Sequence, residues 1–216
     1  MALVDPELGV TVKPAVTASS GMDALCQCIE AYTSTGANPM TDTLALEGAR
    51  RAARSLQRAY EEGTDVDARE DMALAALLSG LALSSAGLGA VHGFAAPLGA
   101  NFPVPHGTVC AALLPHVMAA NVAALRAAGH VSLGRYAALG RAMVNSALAD
   151  GEAIQAALEV PRNLQRGLSI PRLGQFGITS EHVPAMVELA RKSSSMRYNP
   201  IGLAPEVLAG ILEAAL

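Results

Sequence analysis

The chain has 216 residues, 51% of them hydrophobic and 16% charged, and this composition excludes a disordered protein. Its net charge is −4 with dispersed basic residues, which excludes the basic surfaces that bind nucleic acids or membranes. Three cysteines cannot form the disulfide framework of a small secreted domain, and the N-terminal segment does not have the pattern of a signal peptide, so we expect a cytoplasmic protein.

Helical patterns follow one another along the chain, and one short run, residues 10–12, is the only strand candidate. That run has no partner with which to form a sheet. Capping or breaking residues bound the helical patterns, with Ser19 or Ser20 expected to cap the first and Asp65 or Asp67 the third. The predicted helices span about residues 19–32, 38–62, 65–83, 91–100, 106–128, 132–143, 150–168, 181–192 and 205–216.

Small apolar residues and an aromatic content of only 3% favour closely packed helices. We therefore predict an all-α fold, a multi-helix bundle of about eight to ten helices that forms a single domain over residues 1–216. No aspartate, glutamate, lysine or arginine occurs from Met72 to Leu125. Serines and glycines interrupt this stretch, so a helix buried in the bundle is favoured over the alternative of a membrane span.

The sequence contains no convincing dinucleotide-binding motif. The nearest candidate joins Gly87, Gly89 and Gly93, but its last spacing is wrong and it follows a predicted helix rather than a strand. It also lacks the acidic residue expected about twenty positions later. We therefore expect no nucleotide site within this chain.

Two histidines and one aspartate form a candidate metal site. His92 and His106 each lie beside a glycine or proline break, where side chains can point into a shared cleft. Asp23 and Gln27 are four residues apart and so share one face of the first helix. One carboxylate and two imidazoles suit a divalent cation such as Fe²⁺ or Zn²⁺. The alternatives are that the histidines are ordinary core residues and that Asp23 only stabilises its helix N-terminus.

Four sequence blocks, in order and with matching spacing, resemble the C-terminal domain of iron-containing alcohol dehydrogenases. They lie at residues 20–32, 87–100, 105–107 and 113–117, and the similarity extends from about Asp5 to the Asn199–Pro200 tail. The resemblance implies a helical C-terminal domain that holds a metal. It also implies an N-terminal α/β domain for NAD or NADP, which we expect to be absent from this chain. The dehydroquinate synthase-like fold is the architecture to be expected.

The resemblance implies that Asp23, His92 and His106 are metal ligands. The chain departs from the family pattern at two positions. Gln27 stands where the family has a ligating histidine, and Ala96 stands where a further histidine often lies near the substrate. Gln27 could offer only a neutral amide oxygen to the metal, which is a weaker ligand. Cys26 and Cys28 are interpreted as ordinary helix residues.

The function implied is the metal-site and substrate-side domain of an NAD(P)-dependent alcohol dehydrogenase or aldehyde reductase. Its partners would be a small alcohol or aldehyde and the missing nucleotide-binding domain, and the chain alone is expected to be inactive. The alternative is a metal-free helical module, vestigial, regulatory or similar to maleylacetate reductases, that acts through domain or subunit association. Such a module could form a homo-oligomer.

Overall fold

A computed structural model describes residues 3–216, and over this range it confirms the all-α prediction. No strand occurs in the described part of the chain, and residues 10–12 form a turn. The described residues form nine α-helices: α1 (Pro14–Thr33), α2 (Pro39–Glu61), α3 (Val66–Ala86), α4 (Ala90–Asn101), α5 (His106–Ala127), α6 (Leu133–Val144), α7 (Asp150–Gly167), α8 (Val183–Arg191) and α9 (Pro205–Ala214). Four short 3-10 helices accompany them: Pro6–Gly9, Leu173–Phe176, Ser180–His182 and Met196–Tyr198.

The first helix begins earlier than the sequence predicted, at Pro14 rather than after Ser19 or Ser20. Proline suits the first helical turn because its missing N–H would have no helical partner there. Both serine hydroxyls instead donate to the carbonyl oxygen of Val16, at 3.3 Å and 2.6 Å, so they lie inside the helix. The predicted cap of α3 at Asp65 is confirmed, since its carboxylate accepts from the Ala68 amide.

Helix α1 lies at the centre of the bundle, where it packs against α2, α3 and α5. Its buried residues include Met22, Leu25 and Ile29, which belong to one continuous hydrophobic core. Helix α4 packs against α5 and α8, and α6 packs against α7 and α2. The N-terminal end of α4 is hydrogen-bonded to Glu30 in the last turn of α1, and the N-terminal end of α5 lies against Ser19 nearer the start of α1.

Helix α5 is long and apolar enough to span a membrane when judged by length and composition alone. However, 72% of its most apolar window is buried inside the bundle. Helices α3 and α4 pass the same test only as a pair, and they bend by 101° at the break between them. The prediction of a buried helix is therefore confirmed for α5, whereas α3, in the same uncharged stretch, leaves Leu77 and Leu81 exposed.

Gly107 lets α5 approach α1 closely. A Cβ atom at this position would lie well inside van der Waals contact with the Ser19 carbonyl group, which belongs to the α1 backbone. The neighbouring residue His106 begins α5, so this close approach sets how near its side chain lies to α1.

Replacing Gly107 with alanine should therefore push α5 away from α1 and lower the free energy of unfolding by about 1–3 kcal/mol. Gly80→Ala is the matched control, because this helical glycine has open space around it and alanine there should be neutral or stabilising by up to about 1 kcal/mol. Chemical denaturation of both variants checks the prediction. Equal stabilities would contradict the tight contact at Gly107.

Candidate metal centre

The structure brings Asp23, His92 and His106 together from three different helices. The Nε2 atom of His92 lies 3.3 Å from Oδ1 of Asp23, and Nε2 of His106 lies 3.6 Å from the same oxygen. The two imidazole rings are 5.4 Å apart between centroids. The spatial convergence expected from the sequence is therefore present, whereas the role of these residues as ligands stays a prediction.

Asp23 Oδ1 is buried and has no hydrogen-bond partner among the described residues. The Nε2 atom of His92 is close enough for a hydrogen bond and that of His106 is not, but neither nitrogen forms a hydrogen bond of acceptable geometry with this oxygen. A buried carboxylate oxygen without a partner is costly, by roughly 1–3 kcal/mol or more for a charged group. A cation bound among these donors would remove that cost, so the residues present fit a metal.

Glu30 fixes the orientation of the His92 ring. Its Oε2 atom lies 2.7 Å from Nδ1 of His92, and Oε1 accepts a 2.7 Å hydrogen bond from the Val91 amide. The side chain is only 5% exposed. A proton on Nδ1 directed at a carboxylate leaves the Nε2 lone pair free to face the cluster.

Glu30 and Asn199 together fix the start of α4. Asn199 Oδ1 accepts from the Ala90 amide at 3.2 Å, and its Nδ2 donates to Asn121 on α5 at 2.7 Å. Gly89 makes room for both, since a Cβ there would lie 2.8 Å from the Glu30 carboxylate. The first amides of α4 therefore have partners without a capping side chain of their own.

Gln27 lies beside the cluster, but it does not direct its amide oxygen at it. Its Nε2 donates to Asp23 Oδ2 at 2.9 Å, and its oxygen accepts from the Ser79 hydroxyl at 2.7 Å. A carboxylate can only accept, so the amide group that faces Asp23 must be the donating nitrogen. In this arrangement Gln27 fixes the Asp23 carboxylate, and its role as a metal ligand stays a prediction.

Cys110 is a member of the cluster that sequence reasoning missed. Its Sγ lies 3.6 Å from Nε2 of His106 and 3.8 Å from Nε2 of His92. Cys110 follows His106 by four residues and therefore shares its face of α5. The same four-residue spacing identified Gln27 as a neighbour of Asp23, so the sequence also contained the signal for Cys110. Glu30, also missed, lies seven residues after Asp23 on the same face of α1.

The electrostatics of the cluster favour a positive charge at its centre. Burial opposes a charged His92, but the neighbouring Asp23, Cys110 and Glu30 outweigh it and raise the pKa of His92 to about 12. Burial also opposes the charge on Asp23, yet the two histidines lower the pKa of its carboxyl group. Contact with Cys26, and then with the two histidines, lowers the pKa of Cys110 to about 6. A proton and a metal cation would therefore compete for the same place.

The cluster is accessible from one side. The His106 side chain is 54% exposed, whereas those of His92 and Asp23 are 8% and 19% exposed. Ala96, the position at which the family often has a further histidine, is exposed on α4 one turn after His92. The exposed side of His106 is thus the route by which a small molecule could reach the cluster.

The remaining histidines belong to other places. His116 lines a separate cavity with Gln165 and Arg172, and burial together with nearby arginines lowers its pKa. His130 accepts a hydrogen bond from the Ser132 amide, and His182 pairs with Thr179. The sequence analysis selected His92 and His106 from the five histidines. These two lie in the cluster, and the other three lie elsewhere.

A family model described as "Fe-containing alcohol dehydrogenase family, C-terminal" matches residues 17–216. The chain belongs to this family. It is 38% identical to alcohol dehydrogenase 4 of Saccharomyces cerevisiae (strain ATCC 204508 / S288c) over 219 residues, covering 100% of this chain and 54% of that protein. It is also 38% identical to the probable alcohol dehydrogenase EutG of Escherichia coli (strain K12), covering 100% of this chain and 52% of that protein.

A solved structure, described as a crystal structure analysis of 1,3-propanediol oxidoreductase, superimposes with a TM-score of 0.90 and 35% identity. The match covers 98% of this chain and 55% of that one. The chain thus spans about half the length of the curated relatives it matches. The resemblance stated from the sequence motifs is confirmed.

Glu30→Gln tests whether this carboxylate positions His92. Exchanging the charged acceptor for an amide should lower the affinity for Zn²⁺ by roughly 10–100-fold, because a weaker partner on Nδ1 makes Nε2 a poorer and less well-oriented donor. Titration with a zinc-competing chromophoric chelator measures the change. Glu181→Gln, which alters an exposed carboxylate outside the cluster, is the control. Unchanged affinity in the Glu30 variant, with wild-type helicity, would refute the positioning role.

Proposed function

We propose that this chain is the metal-site and substrate-side domain of an NAD(P)-dependent alcohol dehydrogenase or aldehyde reductase. In this proposal Asp23, His92 and His106 bind a divalent cation, Fe²⁺ or Zn²⁺. The observation that carries the proposal is the convergence of two imidazoles, from α4 and α5, on a buried Asp23 oxygen of α1 that has no hydrogen-bond partner among residues 3–216. Membership of the Fe-containing alcohol dehydrogenase family supports the same assignment.

When bound, a divalent cation supplies Lewis acidity, which stabilises negative charge on the oxygen of an alcohol or aldehyde during hydride transfer. The residues of the chain position that chemistry. Asp23 and the two histidines hold the cation, while Glu30 and Gln27 hold His92 and Asp23. The uncharged helices around them exclude water from the buried side of the site, which strengthens electrostatic interactions there.

The reaction also needs a nicotinamide, whose hydride chemistry belongs to the cofactor itself. We place the NAD or NADP site in a second, nucleotide-binding domain, since the relatives are about twice as long as this chain. The substrate would then approach from the side on which His106 is exposed. The free cysteines, all buried, are consistent with a reducing cytoplasm, where we place the protein.

One observation favours the alternative of a metal-free helical module. Both ring nitrogens of His92 have carboxylate neighbours, Glu30 at 2.7 Å and Asp23 at 3.3 Å, so a protonated imidazole could balance the cluster without a metal. Gln27 also brings no donor atom to the centre. In this alternative the module acts by associating with another domain or subunit.

His92→Ala and His106→Ala separate the two proposals. Each substitution removes one of three donors, so metal bound in a one-to-one ratio by the wild-type chain should fall to a small fraction. Elemental analysis of protein purified without chelators measures the ratio. His130→Ala, which changes a histidine outside the cluster, should leave it intact. A wild-type chain that takes up no metal even after dialysis against Fe²⁺ or Zn²⁺ would favour the metal-free module.

The 216-residue chain on its own should consume no appreciable NADH or NADPH with short aldehydes. The physical reason is that a hydride is transferred only when the nicotinamide is held in contact with the substrate, and the proposal places that binding site in another domain. Absorbance of the reduced cofactor measures the rate. Robust turnover by the pure chain would contradict the proposal that the cofactor site lies in another domain.

A further inference from the structure

We propose that Cys110 is a fourth protein ligand of the metal and that its thiolate makes the site selective for zinc over iron. The inference rests on the proposed metal centre and extends it to a donor set of one carboxylate, two imidazoles and one thiolate. Side-chain donors of Asp23, His92, His106 and Cys110 all lie within 4.8 Å of one another.

The distances between donors fit a tetrahedral shell. With zinc bonds of about 2.0–2.1 Å to nitrogen or oxygen and about 2.3 Å to sulfur, tetrahedral geometry separates nitrogen from oxygen by about 3.3 Å and nitrogen from sulfur by about 3.6 Å. The oxygen of Asp23 lies 3.3 Å and 3.6 Å from the two Nε2 atoms. The sulfur of Cys110 lies 3.8 Å and 3.6 Å from the same two atoms. Four edges of the tetrahedron are thus close to the required lengths.

The fold directs one particular cysteine at the centre. Cys110 is fully buried and lies one helical turn after His106, so its position depends on the same packing of α5 against α1. Cys26 is equally buried, but its sulfur lies 4.0 Å from Nδ1 of His92, the ring nitrogen that faces Glu30 rather than the cluster. Cys28 contacts the Ala75 carbonyl oxygen on α3.

Thiolate in the donor set changes which metal is preferred. Soft sulfur ligands favour zinc, and four nitrogen, oxygen and sulfur donors suit its tetrahedral geometry. Gln27 supplies no donor atom to the cluster, because its amide oxygen accepts a hydrogen bond from the Ser79 hydroxyl. The fourth donor comes instead from Cys110 on α5. Zinc can accept a fifth ligand, so a substrate oxygen would still have access on the exposed side of His106.

Cobalt substitution tests the inference directly. Co²⁺ added to the metal-free chain should give an intense sulfur-to-cobalt charge-transfer band in the near ultraviolet, with the visible spectrum of a tetrahedral ion. Cys110→Ser and Cys110→Ala should abolish the near-ultraviolet band. Cys28→Ser is the matched control, since it places the same hydroxyl at another buried cysteine, and it should keep the band. X-ray absorption of the zinc form should find sulfur at about 2.3 Å.

The outcomes are distinguishable from failure of the proposed function. One cobalt ion bound without a charge-transfer band would overturn the role of Cys110 and leave the three-residue metal site standing. No cobalt or zinc bound by a folded wild-type chain would overturn both. A band that persists in both Cys110 variants would assign the sulfur to another cysteine and overturn the inference. In competition, the wild type should prefer Zn²⁺ to Fe²⁺ by roughly tenfold more than Cys110→Ser does, and equal preferences in the two proteins would overturn the selectivity.

Discussion

The site depends on one electrostatic constraint: a buried carboxylate oxygen of Asp23 lies beside two imidazoles and a thiol and has no hydrogen bond from any of the residues that the structure describes. Such an oxygen must be balanced by positive charge, because the unpaired state is costly away from water. The surrounding groups raise the pKa of His92 for the same reason that they would attract a metal ion. Either a proton on His92 or a bound divalent cation can supply this positive charge. The proton corresponds to the metal-free module, and the divalent cation corresponds to the metal-site domain of a dehydrogenase.

Several contacts both join the helices of the bundle and orient the side chains of the site. Glu30 accepts from the first amides of α4 and from His92, so one carboxylate both caps a helix and orients a ring. Gln27 links the second oxygen of Asp23 to Ser79 on α3. Gly107 lets α5 come close enough to α1 for His106 to reach Asp23. The donors are therefore supported by rigid helices rather than by loops, which is the arrangement that gives precise geometry.

Helical periodicity and capping residues predicted the all-α fold, because signals such as the glycine break at Gly87 and the cap at Asp65 act locally. The start of α1 was predicted wrongly, since serines that donate to their own helix carbonyls resemble capping serines in sequence. His92, His106 and Asp23 could be chosen from their positions and from the family resemblance. Cys110 could have been considered for its four-residue spacing from His106, but the importance of Cys110 and Glu30 depends on which faces of α1, α4 and α5 meet. Such contacts are set by tertiary packing rather than by local pattern.

The most direct test of the metal centre is a crystal of the chain grown with zinc and measured on both sides of the zinc absorption edge. The account predicts one strong anomalous peak about 2 Å from Asp23 Oδ1 and from Nε2 of both His92 and His106. The absence of a peak at that point, with the three side chains arranged as described here, would contradict it.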